Sequence, residues 1–276
     1  MDMEQVLEVW WVLPAAVLFS TVAIASGVSG ALFFSPFFIL VVGLEPAQAV
    51  GAGLITELVG ASFGSISYIR QRVVDFKTVR FLIATAIPLG VVGALLAHQI
   101  SGDTVKVILG SLLLLLAMVM TYSIFKKKDV VTQPENETKK DTVIRAKDGT
   151  VYRYRICQRW IGMTLAGIGA FFTGLVSAGL PEITTTQLVV RCRIPPRIAI
   201  ATAVITLTIT VLLAATVHIL NAEPAWYVVT WSVPGVIIGA LMGSRLESKI
   251  KPQLAEKTIA IIFVVVGVLV LTVNTG

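Results

Sequence analysis

The chain has 276 residues, 56% hydrophobic and 14% charged, with 22 Lys and Arg against 16 Asp and Glu, a net charge of +6. Soluble domains carry about 25% charged residues, so a water-soluble globular enzyme is set aside. Charge is also absent from seven long windows, residues 9–44, 81–102, 107–125, 160–181, 198–222, 224–244 and 258–276. Each reaches the roughly 18 apolar residues that a bilayer crossing needs, and none alternates with the period of two expected of a β-barrel strand.

In chain order, the first half reads as five apolar segments, 12–26, 31–43, 46–69, 77–99 and 104–125. No Lys or Arg precedes Arg70, so the basic n-region of a cleavable signal peptide is missing and the first segment is expected to stay in the mature protein. A polar stretch, 126–159, follows, and the plan then repeats as 160–176, 181–190, 198–220, 225–243 and 257–273. Pro46, Ala49, Ile55 and Thr56 recur 150 residues later as Pro196, Ala199, Ile205 and Thr206. Pro88, Gly93, Ala94 and Leu95 recur 146 residues later as Pro234, Gly239, Ala240 and Leu241. Matches in the same order within corresponding segments indicate a duplication.

Lys and Arg collect in cytoplasmic loops. Placing the 70–80 loop, the 126–159 linker, the 191–197 loop and the 245–257 loop inside puts 21 of the 22 basic residues in the cytosol and only Lys106 outside. The first two segments of each half must then enter and leave on one side, so each half crosses an odd number of times. The expected fold is an all-α polytopic membrane protein of two inverted-topology repeats, 12–125 and 160–273, with both termini outside the cell membrane and the broken, short half-helices meeting near the bilayer midplane. In the linker, Asp148-Gly149 between alternating residues predicts a β-hairpin. The linker reads as a basic, topology-setting tether near anionic lipid, with regulation or partner binding as the alternative. Cys157 and Cys192 lie beside basic residues and are expected to be free thiols.

The first two segments of each half are divided at Gly27-Val-Ser-Gly30 and at Ser177-Ala-Gly-Leu-Pro181. Such breaks free backbone groups that only protein or a water-filled cavity can satisfy at membrane depth. A restarting half-helix offers N–H groups to an anion. The candidate substrate-binding residues are therefore Gly27, Ser29, Gly30, Ser35, Ser177, Gly179, Pro181, Thr184 and Thr185, with Gln48, Gln187 and Thr206 as further polar lining. Two carboxylates inside apolar segments, Glu57 and Glu182, are candidate proton carriers, since intramembrane acids are costly unless paired or functional. Glu182 would otherwise occupy the anion site when substrate is absent, and Glu57 is expected to bond a hydroxyl such as Ser62 or Thr206. His98 and His218 are expected to be solvated at outer helix ends. Trp10, Trp11, Trp160 and Trp226 read as interfacial anchors.

Several of these features together resemble a known family. Each half opens with a small-residue break (Gly27-Val-Ser-Gly30; Gly174-Leu-Val-Ser-Ala-Gly179), then carries Pro-x-x-Ala (Pro46 to Ala49; Pro196 to Ala199) and a Pro followed by Gly-Ala-Leu. This pattern, over residues 12–273 with the linker as an insertion, is similar to the TauE/SafE membrane transporters. The resemblance implies export of sulfite, small organosulfonates or related organic anions. The expected function is thus a secondary transporter of a small sulfur-containing oxyanion or organic anion, working by alternating access with optional proton coupling, and not an enzyme. No metal, cofactor or nucleic-acid partner is called for; the partners are the anion, protons and the bilayer. The alternatives are an anion channel, which needs a continuous polar pore, and an intramembrane serine protease using Ser29 in Gly-x-Ser-Gly, which needs a base within hydrogen-bond reach.

Overall fold

The computed structural model describes residues 3–26, 28–126, 142–221, 224–246 and 252–272. After a short α1 (Met3–Glu8) come α2 (Val12–Ser26) and α3 (Ala31–Phe37), the latter running on through a π-helical stretch, Phe38–Val42. Then follow α4 (Pro46–Gln71), α5 (Phe76–Ala97) and α6 (Gly102–Lys126). The hairpin β1 (Thr142–Arg145) and β2 (Val151–Tyr154) leads to α7 (Arg159–Val176) and to α8 (Leu180–Thr186), which runs on through a second π-helical stretch, Gln187–Arg191. The chain closes with α9 (Pro196–Asn221), α10 (Trp226–Leu246) and α11 (Pro252–Thr272). Six of these helices are long and apolar enough to cross a membrane, and the fold is an all-α polytopic membrane protein.

Local chemistry sets the helix ends. Pro46 and Pro196 open α4 and α9, the position where a missing N–H costs nothing. Asp75 caps α5, its carboxylate accepting from Lys77 N–H at 3.0 Å and Thr78 N–H at 3.1 Å, the usual N-cap arrangement. Helices α4 and α9 form the centre, with 72% and 78% of their apolar windows buried against 33% for α5. The outer helices turn Val92, Leu95, Met118, Ile261 and Val265 outward, as a lipid-facing surface requires.

Small residues join the helices in pairs. On α10, Gly235, Gly239 and Gly243 lie against the carbonyls of Leu13, Val17 and Thr21 on α2. On the other side Gly93 of α5 lies against the Phe171 carbonyl of α7, and Gly174 of α7 against the Gly90 carbonyl of α5. Such approach is possible only without a Cβ. Thus the first helix of each half packs on the fourth apolar helix of the other half: α2 on α10, and α7 on α5.

The hairpin pairs Thr142 with Tyr154 and Arg145 with Val151, around a turn where Gly149 has φ of +85°. It folds back onto the basic end of the bundle and does not hang free. Lys147 N–H donates to the Gln71 carbonyl at 2.9 Å, and Tyr154 donates its hydroxyl to Asp75 Oδ2 at 2.8 Å. Arg197 bridges Asp148 Oδ2 at 2.6 Å and Gln71 Oε1 at 2.7 Å. The Arg197 guanidinium, then the Thr150 N–H, holds the Asp148 carboxyl well below the usual carboxylate range. Burial, followed by the charge and hydrogen bond of Asp75, raises the Tyr154 phenol above its usual range.

These shifts fix the pH window of docking. A depressed carboxylate stabilises above its ordinary value and is lost as pH falls below it; a raised phenol stabilises below its ordinary value, near 10, and is lost as pH rises beyond it. Docking is therefore expected to be flat from about pH 5 to 9. Tyr154→Phe removes a hydrogen bond to a charged group, worth about 1.5–3 kcal/mol. Amide exchange in residues 142–154 should accelerate about tenfold or more in that variant; unchanged exchange would mean that Tyr154 does not anchor the hairpin.

Cys157 and Cys192 are not free thiols: they are bonded to each other, with Cα atoms 5.1 Å apart. Cys157 precedes α7 and Cys192 follows the second π-helical stretch. Because α7 and α8 form an antiparallel hairpin, its two ends return to the same place.

Candidate functional site

The two breaks meet. Ser29, between α2 and α3, donates its backbone N–H to Glu182 Oε1 at 2.6 Å, and Gly179 N–H donates to the other oxygen of the same carboxylate at 3.0 Å. One carboxylate thus collects a backbone donor from each break across 153 residues of sequence. The Ser29 hydroxyl donates to Glu57 Oε1 at 2.5 Å and lies 3.3 Å from the Ser177 carbonyl. The Ser35 and Ser177 hydroxyls bond each other at 2.6 Å. Ser29, Ser35, Ser177, Glu57 and Glu182 are all buried, so the cluster is a closed polar knot inside an apolar bundle.

Backbone conformation shapes the second break. Gly179 has φ of +127° and Ser177 a left-handed φ of 62°; for a serine that is a strained state, of the kind that persists at functional sites. Leu180 N–H is satisfied by the Thr173 hydroxyl at 2.8 Å, and Pro181 supplies no N–H to satisfy. In the first half, Gly30 helps to line a small, mainly apolar cavity beside Glu57, together with Phe34, Thr56, Val204 and Val236. Glu57 Oε2 is buried with no hydrogen-bond partner among the described residues.

The expected site residues fall into three groups. Ser29, Ser35, Ser177, Gly179, Glu57 and Glu182 come together as one network, and Gly30 and Pro181 flank it. Thr184 and Gln187 lie further along α8 and its π-helical continuation, the Thr184 hydroxyl with no hydrogen-bond partner among the described residues and Gln187 donating to the Gly162 carbonyl at 3.2 Å; Thr185 is half-buried beside them. Thr206 bonds back to the Thr202 carbonyl of its own helix at 2.8 Å. Gln48 sits in the first turn of α4, nine residues before Glu57 and so about 13 Å away at the α-helical rise. Neither Gln48 nor Thr206 has a hydrogen bond to the knot. Gly27 lies outside the described residues.

Two local expectations are corrected. Glu57 bonds Ser29 and neither Ser62, which donates to the Leu58 carbonyl, nor Thr206. His218 is buried, not solvated. Its Nε2 bonds the Gly174 carbonyl at 2.9 Å, and its ring lies 4.6 Å from that of His98. His98 packs its ring on that of His218, with its Nε2 lacking a hydrogen-bond partner among the described residues, and the Ser29 hydroxyl goes to a carboxylate. Neither histidine, the base expected for a serine protease, bonds Ser29 among the described residues.

Sequence reasoning missed a matched pair of bonds. Tyr68 donates its hydroxyl to the Ile24 carbonyl at 2.8 Å, and His218 bonds the Gly174 carbonyl. Tyr68 and His218 are 150 residues apart, as are Ile24 and Gly174. Each ties a central helix, α4 or α9, to the last turn of the helix that precedes a break. The spacing already visible in Pro46 and Pro196 would have found them.

The comparisons agree with this architecture. The model of a family described as sulfite exporter TauE/SafE matches residues 12–270. The probable membrane transporter protein YunE of Bacillus subtilis (strain 168) is 21% identical over 238 residues, covering 86% of this chain and 85% of its own. The probable membrane transporter protein YjnA of the same organism is 27% identical over 254 residues, covering 88% of this chain and 91% of its own. No solved structure matches. With the family model spanning nearly the whole chain, this polytopic membrane protein is a membrane transporter and belongs to the sulfite exporter TauE/SafE family.

Proposed function

We propose that the chain is a secondary transporter that exports a small sulfur-containing oxyanion or organic anion, of the sulfite or sulfonate type, across the cell membrane. The supporting observation is the Glu182 carboxylate held by one backbone N–H from each break. Two converging N–H donors in a buried, polar setting form an anion receptor, and here an internal carboxylate fills it. A substrate oxyanion takes the same donors when Glu182 is neutralised or swings away. The two halves act as inverted repeats, with the termini outside and the basic end of the bundle in the cytosol, and they rock about the knot to give alternating access.

Glu57 shares Ser29 with Glu182, so the two acids gain and lose protons as a pair. Proton movement through this pair accompanies the anion in this reading. Anion export is already downhill at a potential negative inside, by about 2.3 kcal/mol per charge at 100 mV, so coupling adjusts the flux and does not have to drive it. Glu182→Gln and Glu57→Gln are expected to abolish proton flux in proteoliposomes carrying a pH-sensitive dye, while anion efflux driven by the membrane potential stays measurable. Unchanged anion and proton flux in both variants would eliminate the coupling. Counterflow of labelled sulfite against unlabelled sulfite separates a carrier from a channel, since only a carrier exchanges without net flux.

A further inference from the structure

The second half-helix carries polar groups that the knot does not use. Thr184, Gln187 and Arg191 are spaced three and four residues apart along α8 and the π-helical stretch that continues it, which places them on one face. Thr184 Oγ1, Gln187 Oε1 and Arg191 Nη1 are each buried and have no hydrogen-bond partner among the described residues. Thr184 and Gln187 are themselves almost fully buried, at 0% and 5% exposure. Buried polar atoms in native proteins are nearly always satisfied, so three orphans in one row call for an occupant that is not part of the chain.

The row has a direction and a sign. It begins at Arg191, at the basic end, whose Nη2 is held by the Gln158 carbonyl at 3.3 Å. Gln158 adjoins Cys157, and Arg191 adjoins Cys192, so the disulfide ties the two backbones that orient this guanidinium. The row ends at Thr184, two residues from Glu182. Its only charged member is a cation with one N–H-bearing nitrogen left over, and guanidinium is well matched to tetrahedral and pyramidal oxyanions. Gln187 Oε1 can accept from a hydroxyl-bearing oxyanion, and the Thr184 hydroxyl can donate to it.

We propose that Thr184, Gln187 and Arg191 form an anion subsite between the basic end of the bundle and the knot, with Arg191 capturing an oxyanion and Thr184 passing it towards Ser29 and Glu182. The proposal rests on the transport reading above for its purpose, but the subsite can be tested without transport. Thr184→Cys is introduced into the full-length protein in detergent. Its modification by a sulfonate-bearing methanethiosulfonate reagent and by the trimethylammonium analogue is read at residue 184 by peptide mass spectrometry. Each rate is divided by that of the same reagent on a free thiol in solution.

The expected result is a preference for the anionic reagent of about tenfold, weakened by salt. Arg191→Gln should abolish this preference, and Arg191→Lys should largely keep it. Equal normalised rates, which a column of water alone would give, would overturn the subsite. So would a preference that survives Arg191→Gln, or no modification by either reagent. In proteoliposomes Arg191→Gln should also raise the half-saturating sulfite concentration about tenfold on the side of the basic end, with the maximal rate kept within about twofold. Robust sulfite flux with an unchanged half-saturation would sink the subsite and leave the transporter standing; an anionic preference at residue 184 without flux of any anion would do the reverse.

Discussion

Replacing Gly93 or Gly174 with leucine should remove folded protein from the membrane. A Cβ at Gly93 would land on the Phe171 carbonyl oxygen, and one at Gly174 on the Gly90 carbonyl oxygen. In both cases the obstacle is the backbone of a neighbouring helix, which has no rotamer to change. The two helices must separate along their length, and the packing that holds α7 against α5 is lost. The cost exceeds about 4 kcal/mol, the range reserved for a broken core. The readout is loss of the monodisperse peak after detergent extraction. Gly43→Ala is the contrast: Gly43 has φ of +79° but nothing within 4 Å, so only backbone strain of about 1 kcal/mol is at stake. Wild-type yield from Gly93→Leu would mean that α5 and α7 do not approach as described.

Gly179→Leu and Gly30→Leu should abolish anion flux. At Gly179 the backbone lies at φ of +127°, and an added Cβ would meet the Gly169 carbonyl at 3.1 Å and Phe172 Cβ at 3.2 Å. The N–H that this residue gives to Glu182 would be displaced with it. At Gly30 a Cβ would come within 3.3 Å of the Phe34 ring, and the rest of a leucine would fill the cavity beside Glu57. Displacing a binding group by about 1 Å costs on the order of a hundredfold in rate, so flux should fall by about that factor in each variant. Size-exclusion profiles separate this loss from unfolding. Gly30→Leu tests the site most cleanly, because its backbone is ordinary helical geometry. A folded Gly30→Leu protein with normal flux would move the substrate path away from the first break.

Much of this molecule could be read before any coordinates. The apolar runs gave helix ends within a few residues, because Pro46, Pro196, Gly102 and the basic loops are punctuation that solvent and backbone geometry both enforce. The 127–141 stretch of the linker lies outside the described residues, but the hairpin at Asp148-Gly149 is where the turn chemistry put it. The breaks supplied Ser29, Ser177, Gly179 and Glu182, since a Gly and Pro interruption at membrane depth must be satisfied somewhere. What the chain could not reveal was which partner satisfied which group. That Glu57 bonds Ser29, and not Ser62 or Thr206, depends on how α3 leans on α4. Ser62 on the same helix is diverted to the Leu58 carbonyl.

The burial of His218 escaped notice for a similar reason. Its place near a helix end suggests exposure, but α9 is a central helix whose end is covered by α5 and α7. The disulfide was missed because basic neighbours and a cytosolic placement argued for thiols, while the antiparallel run of α7 and α8 brings Cys157 and Cys192 together. Polarity alone marks Gln48 and Thr206, and it does not say which hydrogen-bond partner a side chain on a central helix takes; Thr206 takes the Thr202 carbonyl.

The central claim is that the meeting of the two breaks carries a sulfur oxyanion or sulfonate across the membrane. Its most direct test is efflux from proteoliposomes loaded in turn with sulfite, sulfate, thiosulfate, a sulfonate and acetate, with membrane potential and pH gradient clamped separately. Saturable, protein-dependent efflux of sulfite or the sulfonate in preference to acetate, absent in Gly30→Leu, is the predicted result. Wild-type protein that moves none of these anions above the rate of protein-free liposomes would contradict it.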